Sequence, residues 1–224
     1  MALSCLAGYV VAFLWYRGIL ILMMQKHLEF QIVTPRTLAD FQGKTLVLPD
    51  IRELSDDEKT WLREFVDQKK RLVITGRDTT GLDASDHVVR FPECPGRTYE
   101  QALERNFERT SPASQQQLLD ALGKSDEVQI EAPPDIATSI ARTSDGHINC
   151  FFANFSGLRG GSNPVQTPQD GVKVMVQSKA GDEGYILPFL GTAQPLHGVR
   201  KRDSVTFTLP SIAKGAVFWY GSQK

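Results

Sequence analysis

The stretch from Lys44 to Thr75 constrains the chain most tightly. An apolar, β-branched run, Lys44 to Leu48, and a second, Arg71 to Thr75, flank a segment that opens with Ser55-Asp56-Asp57-Glu58 and continues with Trp61, Leu62, Phe65 and Val66. Ser55 and Glu58 stand at the spacing of a capping box, in which the serine oxygen accepts a first-turn amide and the glutamate reaches back to the serine amide. The apolar residues after it recur at helical spacing. A strand, a helix and a strand within about 30 residues make a crossover, which joins parallel strands and runs right-handed. This predicts an α/β domain with a partial flavodoxin-like parallel sheet. Phe30 to Thr34 and His87 to Phe91 read as further strands of it. Thr98 to Thr110 and Ser114 to Leu122 read as helices, and Val128 to Glu131 as one more strand.

After Pro133-Pro134 the pattern changes. A proline pair neither continues a helix nor donates to a central sheet, so a domain boundary is expected there, between residues 1–132 and 133–224. The remainder reads as short strands: Ala137 to Thr143, His147 to Phe155, Val172 to Gln177, Tyr185 to Phe189, Ser204 to Leu209 and Ala216 to Tyr220. Val172, Val174 and Val176 alternate onto one face, as do Val205, Phe207 and Leu209. Strands of this length separated by Gly, Asp, Pro and Ser predict a small antiparallel β-sandwich.

Composition narrows the function classes. With 224 residues, 41% hydrophobic and 23% charged, the chain is neither disordered nor too small for its own core. A net charge of −1 with basic residues spread along the chain leaves no footprint for a polyanion, so nucleic acid is not expected as a partner. Three widely spaced cysteines, Cys5, Cys94 and Cys150, give no disulfide framework and fit free thiols in a cytoplasmic compartment. One segment departs from this average. Ala2 to Tyr16 carries no charge, and after Arg17 the apolar character resumes to Met24. A buried helix is the expected reading; a membrane anchor over residues 2–24 is the alternative, although a span needs about 20 apolar residues.

The search for chemistry centres on the carboxyl ends of the parallel strands, where open α/β sheets bind ligands. There stand Asp50 and the loop Gly76-Arg77-Asp78-Thr79-Thr80-Gly81. The glycine spacing is that of a phosphate loop, but Leu82-Asp83 replaces the required lysine and hydroxyl, so a tight turn is expected. Asp50 and Asp78 lie after successive strand ends and, if they approach each other, would supply two glycosidase carboxylates; the plainer reading has Asp50 opening a turn and Asp78 capping one. Cys94, in Pro92-Glu93-Cys94-Pro95, is the only thiol in a reactive-looking context, and its proline-rich loop offers no helix start behind it. Cys150 reads as a small buried hydrophobe, and Asn154-Phe155-Ser156 matches a glycosylation acceptor on three residues only. His27, His87, His147 and His197 lack ligand spacing, so neither a metal nor a cofactor is expected. In the β half Phe151, Phe152, Phe155, Trp219 and Tyr220 offer a sugar-stacking platform, though aromatics in strands more often fill a core.

The run Phe30 to Glu58, with its strand ending in Leu48-Pro49, its Leu54-Ser55-x-x-Glu58 helix start and the later strand ending in Thr75-Gly76, resembles the glutamine-amidotransferase-like middle domain of bacterial glycoside hydrolases. The match is best to the trimerisation domain of family 42 beta-galactosidases, in which a small antiparallel β domain follows. The resemblance implies an α/β domain and a β-sandwich without catalysis of their own. That family's catalytic glutamates lie in a large N-terminal barrel for which this chain has no room, and no elbow cysteine follows the strand that ends at Gly76. It further implies that a helix over Tyr16 to Leu28 leads into Phe30, packed on elements upstream. The expected role is assembly, as a homo-oligomer or docked on a glycoside hydrolase catalytic domain. The alternatives are a carbohydrate-binding module using the sandwich and a membrane-anchored enzyme using Asp50, Asp78 or Cys94.

Overall fold

The computed structural model describes residues 2–4, 11–106, 112–123, 127–144, 146–159, 161–179 and 181–221, with side chains described from residue 16 onward, those of 102–106 and 112–114 aside. Cys5 and parts of the two helices expected near residues 98–122 lie outside the described residues. The chain divides into two compact units, Met1–Met23 with Phe30–Lys124 and Met24–Glu29 with Ser125–Lys224.

The first unit is built on a five-stranded parallel sheet. Its strands are β1 (Ala2–Ser4), β2 (Gln31–Val33), β3 (Thr45–Pro49), β4 (Arg71–Thr75) and β5 (Val88–Phe91), in the order β2-β1-β3-β4-β5. β3 is buried at every position and β4 at all but Arg71, the pattern of strands covered on both faces. The crossover helix α2 (Asp56–Asp67) starts at the expected capping box: the Glu58 amide donates to Ser55 Oγ (3.2 Å) and the Ser55 amide to Glu58 Oε2 (2.7 Å). α2 turns Leu62 and Phe65 into the core, where Phe65 stacks on Phe41 and Trp61 at centroid distances of 5.8 and 5.0 Å. Two more helices follow, α3 (Pro95–Asn106) and α4 (Pro112–Leu122).

The uncharged N-terminal segment corrects two expectations. It is not one helix. Ala2–Ser4 forms a strand between β2 and β3, with Leu3 level with Ile32 on one side and Val47 on the other. Helix α1 (Val11–Gln25) then buries Ile19, Leu22 and Met23 completely. The segment lacks charge because it supplies a central strand and the inner face of a helix, and its strand partners belong to this chain. At 15 residues α1 extends roughly 22 Å, short of a hydrocarbon core of about 30 Å. Among the described residues no helix is long and apolar enough to cross a membrane.

The second unit is a sandwich of antiparallel sheets. One holds β7 (Ile136–Arg142), β8 (Ile148–Asn154), β10 (Glu183–Pro188), β11 (Gln194–His197) and β14 (Gly215–Tyr220), in the order β11-β10-β14-β8-β7. The other holds β6 (Val128–Glu131), β9 (Lys173–Gln177), β12 (Val199–Lys201) and β13 (Ser204–Thr208), in the order β12-β13-β9-β6. Inward residues of both sheets form one core, with Val174, Val176, Val205 and Phe207 facing Cys150, Phe152, Ile186 and Phe218. Phe207 meets Phe218 at 4.9 Å and Tyr220 at 5.5 Å. Each such side chain contributes roughly 1.5–3 kcal/mol by leaving water. The alternation of Val172, Val174 and Val176 and of Val205, Phe207 and Leu209 is realised as burial of all six.

β11 and β12 were not expected. β11 carries Pro195, which an edge strand tolerates because its outward amide has no ladder partner. β12 is exposed along its whole length and so shows no alternation to read.

Candidate functional site

At the carboxyl edge of the parallel sheet, the loops after β3, β4 and β5 bring Asp50, Thr75, Gly76 and Cys94 together. Asp50 is 5% exposed and takes a left-handed backbone conformation at φ +46°. Its amide donates to the Thr75 carbonyl at 2.7 Å, and its Oδ1 accepts the Arg77 amide at 2.9 Å. The carboxylate therefore ties the end of β3 to the loop after β4. Gly76 is required at that contact. Its φ is +75°, and a Cβ there would stand 2.5 Å from Asp50 Oδ1.

Cys94 contradicts one expectation. A helix does start directly behind it: α3 begins at Pro95, and the Arg97 amide donates to the Cys94 carbonyl at 3.0 Å. Proline at the first helical position gives up an amide that would have no partner there anyway. The helix start does not activate the thiol. Burial pushes the Cys94 thiol above its ordinary value; the Thr75 hydroxyl, which donates toward Sγ at 3.4 Å, and the Arg97 and Gly96 amides oppose this, while the Asp50 charge adds to it. A thiol held protonated is a poor nucleophile at neutral pH.

Asp78 turns to other partners. Its Oδ1 accepts the Thr80 amide (2.9 Å) and the Thr80 hydroxyl (2.6 Å), an Asx turn, and its Oδ2 accepts Arg90 Nε of β5 at 2.7 Å. Partial burial pulls its pKa up, but the hydrogen bonds of Thr80 and Arg90 outweigh it and hold the carboxyl below its usual range. Asp50 thus serves a backbone amide and Asp78 a guanidinium and a turn. Both oxygens of Asp78 and Oδ1 of Asp50 are committed to protein donors. The expectation of a tight turn at Gly76 to Gly81 is met, with both glycines at positive φ.

The remaining sequence candidates resolve as follows. Burial pushes the Cys150 thiol up to about 12. Asn154 is 2% exposed and its amide group donates to the carbonyls of Thr167, Ile212 and Ala213 at 2.8 to 3.0 Å, which leaves nothing for a glycan. His27 is buried, with Nε2 2.9 Å from the Ala132 carbonyl. Among the described residues no three His, Cys, Asp or Glu side chains gather as a metal would need. Of the aromatic set, Phe152 and Tyr220 lie in the core while Phe151 and Phe155 are exposed at 44% and 57%. Trp219 is half-buried and stacks on Tyr185 of the neighbouring strand at 5.5 Å.

Sequence reasoning passed over Tyr185, Leu187 and Phe189, which extend this outward surface. The signal was present. Tyr185 to Phe189 and Ala216 to Tyr220 are continuous apolar runs, and a continuous run means that both faces of a strand are apolar. A pocket of about 260 Å³ opens at the end of these strands, lined by Ile186, Pro188, Phe189, Leu190, Ile212 and Lys214 among others. A second, of about 250 Å³ around Phe41, Trp61 and Gln68, belongs to the first unit; neither is lined by Asp50, Asp78 or Cys94.

No family model matches the chain, and a search of curated proteins found no match. Among solved structures it is similar to alpha-L-fucosidase isoenzyme 2 from Paenibacillus thiaminolyticus, with a TM-score of 0.69 at 12% identity over 100% of this chain and 49% of that one. The chain therefore spans about half the length of that fucosidase. Two others superimpose too loosely to carry an argument. The apo exo-carrageenase GH42 from Bacteroides ovatus gives a TM-score of 0.43 at 8% identity over 97% of this chain and 28% of that one. A cycloisomaltooligosaccharide glucanotransferase from Paenibacillus sp., complexed with cycloisomaltoheptaose, gives 0.35 at 14% over 61% and 22%. What the chain shares with the fucosidase is a fold, a small parallel α/β sheet together with antiparallel β-sheets.

Proposed function

We propose that this chain is a non-catalytic accessory region of a bacterial glycoside hydrolase system, related to family 42 beta-galactosidases, and that it acts in assembly, by self-association or docking. The observation that carries this reading is the state of the strand-end groups. Asp50 and Asp78, carboxylates at the ligand-binding end of the sheet, are spent on holding loops, and the Cys94 thiol is buried, its pKa raised by that burial. Acid–base or nucleophilic work needs groups that are free to meet a substrate. The fold likeness to half of a fucosidase chain supports a link to glycosidases, and the resemblance of Phe30 to Gly76 supports the assembly role.

Light scattering on the purified chain, paired with an assay on chromogenic aryl glycosides, tests the reading. The expected result is an associating protein without turnover. A protein that hydrolyses such a substrate, with activity lost in Asp50→Asn or Asp78→Asn, contradicts it.

A further inference from the structure

In a sandwich the inner faces of the sheets are apolar and the outer faces ordinarily polar. The sheet β11-β10-β14-β8-β7 breaks that rule. Across its three middle strands the ladder aligns Leu187 with Val217 and Val217 with Phe151, and in the next row Tyr185 with Trp219 and Trp219 with Asn149. Strand alternation sets these residues opposite Ile186, Phe218 and Cys150, which are in the core. Phe189 and Phe155 continue the surface just past the ends of β10 and β8, and Leu190 stands at the turn after it, 91% exposed and left-handed at φ +56°. A leucine has no conformational reason to adopt that backbone, and such strain gathers at functional positions.

The size of the surface argues for a protein partner. Phe151, Phe155, Leu187, Phe189 and Leu190 are exposed at 44, 57, 39, 58 and 91%. With each side chain taken at somewhat under 200 Å², they alone present roughly 500 Å², near the upper end for a monomer's largest apolar patch. Tyr185, Val217 and Trp219 bring it toward the ~800 Å² per partner of a standard interface. A sugar needs hydrogen-bonding groups for its hydroxyls. The centre of the face, Leu187, Val217 and Phe151, offers it none, and the Asn149 amide, the Trp219 indole and the Tyr185–Glu183 pair all lie toward one end.

Charge selects the partner. The middle of the face carries no formal charge. At one end stands Glu183, whose carboxylate accepts the Tyr185 hydroxyl at 2.9 Å; at the other stands Lys214, its ammonium 5.7 Å from the centre of the Phe189 ring. A face that is acidic at one end, basic at the other and apolar between complements a copy of itself turned end for end.

The geometry points to this face as the contact between two copies of the chain, related by a two-fold axis that runs the facing strands antiparallel and sets Glu183 of each copy against Lys214 of the other. Two sheets stack face to face in this way about 10 Å apart, aligned within about 30°. The inference rests on the assembly reading above and adds the surface and the partner.

Sedimentation velocity over a concentration series tests it on the whole chain. The wild type is expected to dimerise. Leu187→Glu and Phe151→Glu, at positions away from the core, are expected to leave it monomeric at concentrations where the wild type pairs, with circular dichroism unchanged. Glu183→Lys and Lys214→Glu should each raise the dissociation constant roughly three- to tenfold, and the double swap should restore it. Should a glutamate variant fail to fold, the charge swaps decide. A wild type that stays monomeric, whether or not a neutral oligosaccharide then quenches Trp219, overturns the inference. A dimer indifferent to all four substitutions overturns this face and leaves the assembly reading standing; turnover that depends on Asp50 or Asp78 does the reverse.

Discussion

Asp50 and Gly76 illustrate how a polar cluster at a strand-end crevice can serve structure. The aspartate is left-handed and buried, and the glycine must leave its Cβ out for the carboxylate to reach the Arg77 amide. Gly76→Ala combines a strained backbone with a clash against Asp50 Oδ1 and is expected to cost about 1–3 kcal/mol in urea unfolding. Cys94 should resist thiol reagents in the native protein and react after denaturation; prompt native labelling at Cys94, located by mass spectrometry, would refute the inert-thiol assignment. His27 supplies a pH dependence. Burial lowers its pKa from 6.5, against the opposing hydrogen bonds with the Ala132 and Pro133 carbonyls and with the Lys26 charge in support. The unfolded chain therefore takes up a proton first as pH falls, so stability held above about 6.5 is lost on the way down through the folded value. Unfolding free energies at roughly pH 7.5 and 5.5 should differ less in His27→Gln than in the wild type. The turn roles of Asp50 and Asp78 were legible, because short carboxylates after a strand favour turns. The helix start at Cys94 was not, since the flanking prolines read as a loop although proline suits a first helical turn.

At the scale of elements, legibility followed how strongly burial differs between the two faces. α2 was legible down to its capping box, and Ser55→Ala is expected to cost about 1 kcal/mol in thermal unfolding. β9 and β13 were legible because one face of each is core and the other is not. β8, β10 and β14 were legible as strands but not as two-faced, because aromatic residues in strands more often fill a core than cover a surface. The distinction is measurable. Phe207→Ala, which empties the sandwich core, is expected to cost about 3–5 kcal/mol, whereas Phe151→Ser should stay within about 1 kcal/mol. β1 was hidden for the opposite reason. A three-residue strand next to an uncharged helix has no period of its own, and only its pairing with β2 and β3 distinguishes it.

For the whole molecule, strand–helix–strand grammar followed by short strands was enough to predict the mixed fold that the chain shares with half of a fucosidase. The site was less legible than the fold. Residue types drew attention to the strand ends, where geometry commits the polar groups to loops, and away from the outward sheet face, where exposure leaves apolar groups unspent. On the proposed contact, this molecule meets its partner through that face rather than through the crevice. Hydroxyl-radical footprinting at low and high protein concentration tests this most directly. Oxidation of Phe151, Tyr185, Leu187 and Trp219 is expected to fall as concentration rises while the Gly76 to Asp78 loop is unchanged; protection of that loop with the face unaltered would overturn the proposed contact.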